Sequence, residues 1–340
     1  MKKTIWRILL GLMIIIATGV YFFTRPATAF QEKQKYFFIE SDSAQMPFVI
    51  QGLKDKGVLK GTAVFEWLAG RTDYASKVKP GRYKITKGMS EPEVLRLLIN
   101  GSQDPVKLVI NKFRTKEDFA RFAGRQLECD SLLIMQFLLS PDSLKRYGLD
   151  TNTAMTLIIP NTYTFFWNTT ASKLFKKLNS EKEIFWNAER LNKAGKLGLT
   201  TEEVYTLASI IEEETNKNDE KPIIASVYLN RLQKGMTLAA DPTVKYALRD
   251  FGLKRIRFKH IDAAGNSPFN TYKHKGLPPG PICTPSIKTI DAVLNAEETE
   301  YIFFCARADF SGYHAFATNE IDHMQNAKAF SRAQDSLSIK

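Results

Sequence analysis

The chain has 340 residues, 44% apolar and 25% charged, which leaves room for two domains, or one large one plus an appendage, with a substantial core, and excludes a disordered protein. Its net charge of +12 and pI of about 9.4 suit an anionic partner such as nucleic acid, lipid headgroups or an acidic cell-envelope polymer. The lysines and arginines are scattered and accompany no nucleic-acid motif, so nucleic acid is not expected as a partner.

The first segment decides the compartment. Lys2, Lys3 and Arg7 precede an apolar run from Ile8 to Phe23, and positive charge on that side predicts an N-inside, C-outside anchor. Ala27-Thr28-Ala29 leaves a cleaved signal peptide as the alternative. The length of the run and the aromatic Tyr21-Phe22-Phe23 flank favour an uncleaved anchor in residues 1–30.

Residues 36–111 read as a small α/β unit. Tyr36-Phe37-Phe38-Ile39 is a predicted strand, Val49 to Leu53 and Val64 to Leu68 are short helices, and Arg82 to Ile85 is a second strand. Ser90-Glu91-Pro92-Glu93 is a capping box that opens a helix over Val94 to Ile99, stopped by Asn100-Gly101. Val106 to Ile110 returns as a strand. Residues 112–198 read as a mostly helical connection, interrupted by Leu157 to Trp167. That aromatic loop, with Tyr163 at its centre, reads equally as a sugar-stacking wall and as core.

Residues 199–340 carry the chemistry. Val204, Leu207, Ala208 and Ile211 have the spacing of a helix with one buried face. Of the three glutamates that end it, Glu213 points away from that stripe and Glu212 lies beyond its edge, while Glu214 falls within roughly 50° of its centre. A carboxyl held against apolar surface has a raised pKa and suits a general acid. Lys221 to Gln233 is a second helix, with Ile224, Val227, Tyr228, Arg231 and Leu232 on its inner stripe and Gly235 after its end. Asp241 reads as the N-cap of a helix over Val244 to Leu248. A Pro/Gly-rich segment with Asn270, Thr271 and Tyr272 follows, then a helix over Ser286 to Asn295. Tyr301 to Ala306 and Tyr313 to Thr318 form a predicted hairpin with His314 and Phe316 on one side. The three cysteines (Cys129, Cys283 and Cys305) and four histidines lack zinc or metalloprotease spacing. No metal or cofactor is expected, and one disulfide or three thiols both remain open.

Four ordered blocks then carry a family resemblance. Ala208-Ser209-Ile210-Ile211-Glu212-Glu213-Glu214-Thr215 resembles the ASIIEKET signature of the endolytic murein transglycosylases, the MltG or YceG-like family. The others are Ala225 to Leu232 with Gly235-Met236 and Asp241-Pro242-Thr243-Val244; Asn270-Thr271-Tyr272 with Gly276 to Ile282; and Tyr301-Ile302-Phe303-Phe304 with His314-Ala315-Phe316. The chain departs from the family at Asn161, at Ala239-Ala240 and over Ile110 to Arg114.

The resemblance implies an α+β chain with a membrane anchor, a LysM-like subdomain and a mixed helix/strand catalytic domain. It implies cleavage of the MurNAc-β-1,4-GlcNAc bond of peptidoglycan to leave 1,6-anhydro ends. The family's catalytic glutamate maps onto Glu214. Asn230, Arg231, Asp241, Asn270, Tyr272, His314 and Tyr163 are candidate substrate contacts, with His314 expected to reach Glu214 across the cleft and Glu212 to tune it through charge. Glycan strands are the implied substrate, and penicillin-binding synthases the implied protein partners. Two other readings stay open: a non-catalytic peptidoglycan-binding scaffold, and a two-carboxylate muramidase using Asp241 as its second acid.

Overall fold

Helix α1 (Lys2–Thr24) carries its basic residues in its first two turns and is apolar beyond them, with a mean hydropathy of 2.0 over Thr4–Thr24 and no burial against protein. The computed structural model describes residues 2–338; Met1, Ile339 and Lys340, at the ends of the first and last assigned segments, lie outside the described residues. The chain divides into two compact units. The first comprises Met1–Leu108, Arg125–Cys129 and Thr164–Thr170; the second comprises Val109–Gly124, Asp130–Tyr163 and Ala171–Lys340.

In the first unit β1 (Gln34–Ile39) is followed by α2 (Met46–Asp55), α3 (Ala63–Ala69), β2 (Gly81–Thr86), α4 (Glu91–Asn100) and β3 (Val106–Val109). β1 and β2 pair antiparallel, with Gln34 opposite Thr86 and Ile39 opposite Gly81. Inward residues of both strands, Phe37, Ile39, Tyr83 and Ile85, pack on Leu53, Phe65, Val94 and Leu98 of the helices. Both arms of the Ser90/Glu93 capping box form, and Gly101 takes the left-handed cap after α4. The returning strand β3 does not extend this sheet. It pairs with β4 (Thr162–Phe165), more than fifty residues on, a non-local partner that local patterning does not disclose.

The second unit is mostly helical: α5 (Lys116–Gln126), α6 (Ser131–Leu139), α7 (Pro141–Lys145), α8 (Ala171–Phe185), α9 (Ala188–Lys196), α10 (Thr201–Glu214), α11 (Lys221–Gln233), α12 (Asp241–Leu248), α13 (Phe258–Ala263) and α14 (Ile287–Leu294), then the antiparallel hairpin β5 (Phe303–Ala306) and β6 (His314–Ala317), and α15 (Glu320–Ser338). The sequence reading contained neither α13 nor α15.

Its centre is α10. The expected single buried face is corrected: every residue from Val204 to Ile211 is buried. Thr206 and Ser209 made the helix look amphipathic, yet both are inside. Ser209 Oγ donates to the Thr206 carbonyl (2.7 Å) and accepts from the Ile282 amide (3.0 Å), so the buried hydroxyl is fully used. Most of the aromatic loop is core, although Phe166 is exposed. Leu157, Ile158, Ile159, Tyr163 and Phe165 are buried, and Tyr163 donates to the Ile159 carbonyl at 2.6 Å.

Ser209→Ala removes the acceptor of a buried amide without creating a cavity of any size. It is expected to cost about 1–3 kcal/mol, seen as a lowered midpoint in thermal unfolding of the detergent-solubilised chain.

Candidate active site

Thr200 caps α10 with a complete capping box (Glu203 closes it), and the helix ends at Thr215. The last turn therefore holds Glu212, Glu213 and Glu214 where the carbonyl end of the helix is already partially negative. Two of the three are neutralised. Glu212 meets Lys221 at 3.1 Å and accepts from Ser286 (3.0 Å) and Thr289. Glu213 meets Arg114 through both carboxylate oxygens at 3.0 and 2.9 Å, and Lys112 at 3.1 Å. Burial alone would raise the Glu213 pKa, but these two cations hold it below the usual carboxylate range.

Glu214 has a different environment. Its Oε1 accepts from the Tyr228 hydroxyl at 2.6 Å, and no cation pairs with it among the described residues. Packing around the carboxyl raises its pKa to about 7; the Tyr228 bond opposes this, the Asp241 charge adds to it, and Lys245 and Arg231 pull it back. Yet the side chain keeps partial solvent exposure. It is a carboxyl desolvated enough to stay protonated in a large fraction of molecules near neutral pH and open enough to pass that proton on. The negative neighbour that acts on it is Asp241, where the sequence had pointed to Glu212.

The other expected site residues fall into two groups. Asp241 and Tyr272 are beside Glu214: the Tyr272 hydroxyl donates to Asp241 Oδ1 at 2.6 Å, and burial raises the Tyr272 pKa, helped by Asp241. Asp241 is not the N-cap. It is the first residue of α12; Ala240 occupies the cap position, its amide bonded to Thr271 Oγ1 at 3.0 Å. Asn270, completely buried, supports this pair from below. Its amide donates to the Ile261 and Gly265 carbonyls, and its oxygen accepts from the Tyr272 amide at 3.2 Å.

The second group holds the scaffold together. Asn230 donates to the Thr299 and Tyr301 carbonyls (2.7 and 2.9 Å). Arg231 donates to the Ile302 and Leu238 carbonyls, both at 2.6 Å, with its guanidinium over Phe303. Burial lowers the Arg231 pKa. His314 was expected to face Glu214, but its Nδ1 lies 3.0 Å from Glu220 Oε2, and its amide donates to Glu220 Oε1 at 2.6 Å. Tyr163 is spent in the core.

Two residues absent from the sequence reading of the site matter most. Tyr228 was read only as part of the apolar stripe of α11; a tyrosine in such a stripe must find a partner for its hydroxyl, and that partner is Glu214. Its ring also meets Phe304 edge-on at 5.7 Å, and Phe304 meets His314 edge-on at 5.3 Å. Glu220, almost fully buried, closes the series. Among the described residues no cluster of histidine, cysteine and carboxylate side chains has the arrangement of a metal site.

The description of the YceG-like family matches residues 39–329. The endolytic murein transglycosylase of Bacillus subtilis (strain 168) is 28% identical over 277 residues, which are 76% of this chain and 74% of that one. The endolytic murein transglycosylase of Streptococcus pneumoniae (strain ATCC BAA-255 / R6) is 26% identical over 311 residues; the match takes in 81% of this chain but spans about half of that protein, 54%. The crystal structure of a yceG-like protein from Listeria monocytogenes has the same fold, with a TM-score of 0.57 and 24% identity over 87% of this chain and 99% of that one.

Glu214→Gln keeps the shape and the Tyr228 bond but removes the charge. The folded-state pKa lies above the unfolded value, so the folded chain binds more protons between pH 4.5 and about 7 and loses stability as pH rises through that window. The substitution should therefore be nearly neutral at pH 4 and stabilising at pH 8 by up to about 3 kcal/mol. Melting curves of the two proteins at both pH values check this.

Proposed function

We propose, for a chain that belongs to the YceG-like family, that it is an endolytic lytic transglycosylase of peptidoglycan with Glu214 as its single acid–base residue. The observation that carries this reading is one partly exposed carboxyl, without a cation partner, whose pKa lies near neutrality beside two glutamates that are charge-paired. Both named murein transglycosylase relatives align over most of this chain.

Protonated Glu214 donates to the glycosidic oxygen between muramic acid C1 and the leaving glucosamine. The resulting carboxylate accepts the proton of the muramic acid C6 hydroxyl, and that oxygen closes on C1 to give the 1,6-anhydro end. Glu214 recovers its proton, no water is consumed, and one carboxyl suffices where a hydrolase uses two. The nucleophile belongs to the same sugar, so much of its entropic cost is already met. Tyr228 fixes Oε1 and leaves Oε2 for the substrate. Asp241, held by Tyr272, keeps Glu214 protonated and supplies negative charge that offsets the oxocarbenium character developing at C1. Asn230, Arg231, Asn270 and Glu220 with His314 hold the walls in place.

The β–α–α–β order and two-stranded sheet of the first unit support a LysM-like, glycan-reading role for residues 36–111. The apolar α1 supports a single-pass anchor with the remaining chain outside the cytoplasm. Contact with penicillin-binding synthases is the corresponding proposal for protein partners.

Mass spectrometry of fragments released from purified peptidoglycan by the detergent-solubilised chain tests the reaction. Anhydro-muramic ends that disappear with Glu214→Gln support it. Reducing ends would give Asp241 the role of a second acid in a muramidase, and retention on the polymer without fragments would favour a binding scaffold.

The pH profile tests the coupling. Turnover should fall as pH rises through about 7, because Glu214 must be protonated to act. Asp241→Asn removes a charge that raises this pKa, so the falling limb should move to lower pH while anhydro ends are still formed.

A further inference from the structure

The exit of α1 is built into the first unit. Ala27, Thr28 and Phe30 are each at most 7% exposed. The Ala27 amide donates to the Met89 carbonyl (3.0 Å), the Lys60 amide to the Ala27 carbonyl (2.8 Å) and the Ala29 amide to the Val58 carbonyl (3.0 Å). Two residues, Arg25 and Pro26, separate Thr24, the end of α1, from Ala27, a span of at most about 10 Å. The 21-residue stretch Thr4–Thr24 of α1 rises about 32 Å, the thickness of a hydrocarbon core. With α1 across a bilayer, the folded unit begins inside the headgroup layer.

One face of that unit is fitted to this position. Trp67 on α3 is 49% exposed, and its ring meets Phe23, in the last turn of α1, edge-on at 6.0 Å. Trp67 therefore lies at the depth of the aromatic end of the anchor. The Arg71 guanidinium covers the Trp67 ring at 3.7 Å, and Arg25 covers Phe22 at 4.4 Å. Lys60 sits beside Ala27 through their backbone bond. Along α3 and just beyond it, the outward positions Ala63, Trp67, Gly70 and Arg71 carry no acid; the nearest carboxylates, Glu66 and Asp73, pair with Lys54 and Lys77. An amphipathic indole covered by a guanidinium, with Arg25 and Lys60 in the segments that flank the exit of α1, has the chemistry of a membrane interface: ring at the acyl boundary, cations at phosphate.

We propose that Trp67, with Arg71, Arg25 and Lys60, forms a second membrane contact that seats the first unit on the phospholipid headgroups beside α1. The proposal rests on the reading of α1 as a spanning anchor. The surface is a flat bilayer contact, and the ligand groups are lipid phosphodiesters.

The test uses the full chain in nanodiscs of phosphatidylglycerol and phosphatidylcholine, with and without bromine on the upper acyl chain. Difference emission between the wild type and Trp67→Phe isolates Trp67, and Trp6→Phe isolates a tryptophan of the anchor itself. The expected result is loss of most of both components in brominated discs. Quenching of Trp6 with an unquenched Trp67 would overturn the surface contact while leaving the anchor intact. Quenching of neither would overturn the anchor and the contact together. As a second readout, Arg71→Glu should move the Trp67 component toward longer wavelength and raise its quenching by aqueous iodide; an unchanged spectrum would overturn the role given to Arg71.

Discussion

Three carboxylates share the final turn of a helix whose carbonyl end is itself negative, and much of the second unit serves to make this arrangement stable. Like charges so placed repel one another and the helix dipole. Two of them are relieved by cations brought from distant sequence, Lys221 for Glu212 and Arg114 with Lys112 for Glu213. The third receives only a tyrosine hydroxyl. The difference between the two charge-paired acids and the one proposed to react is therefore a difference in neighbours, since the residue type is the same.

The cations at Glu213 also account for a departure from the family. The signature that this stretch resembles has lysine where this chain has Glu213, and the stretch Ile110 to Arg114 departs from the usual pattern too. The two changes meet in space: Lys112 and Arg114 come from that altered stretch and sit on the extra carboxylate. Those two cations balance the charge of Glu213 at the end of α10, and Glu214 has no cation partner among the described residues.

Much of the site was legible because it is local. Glu214 was marked by the signature, whereas helical spacing could not single it out, since all three glutamates are partly buried and only their partners differ; α11 was legible to its ends because its apolar run and Gly235 mark them. What was not legible depends on side-chain hydroxyls and on distant partners. Ser209 and Thr206 look like a solvated face until Ile282 is seen to use the serine. Tyr228 looks like core until its hydroxyl is traced to Glu214. Asn230 and Asn270 look like sugar ligands because asparagine is polar, yet their amides are consumed by backbone carbonyls that no spacing rule predicts. His314 is drawn to Glu220, a residue at the start of α11 that offers no periodic signal. Helix α13 and strand β3 show the same limit at the level of the fold, the one short and exposed, the other paired far along the chain.

The hydrogen bonds from Ala27 and Ala29 into the first unit bear on how the molecule searches for what it binds. A domain on a flexible tether samples a hemisphere whose radius grows with the tether. With α1 across a bilayer, as proposed above, the tether has almost no length, so this unit can drift sideways and turn about the anchor but can scarcely rise or fall. Encounter with anything held in the same bilayer becomes a search in two dimensions, and ligands beyond the height of the unit itself stay out of its reach.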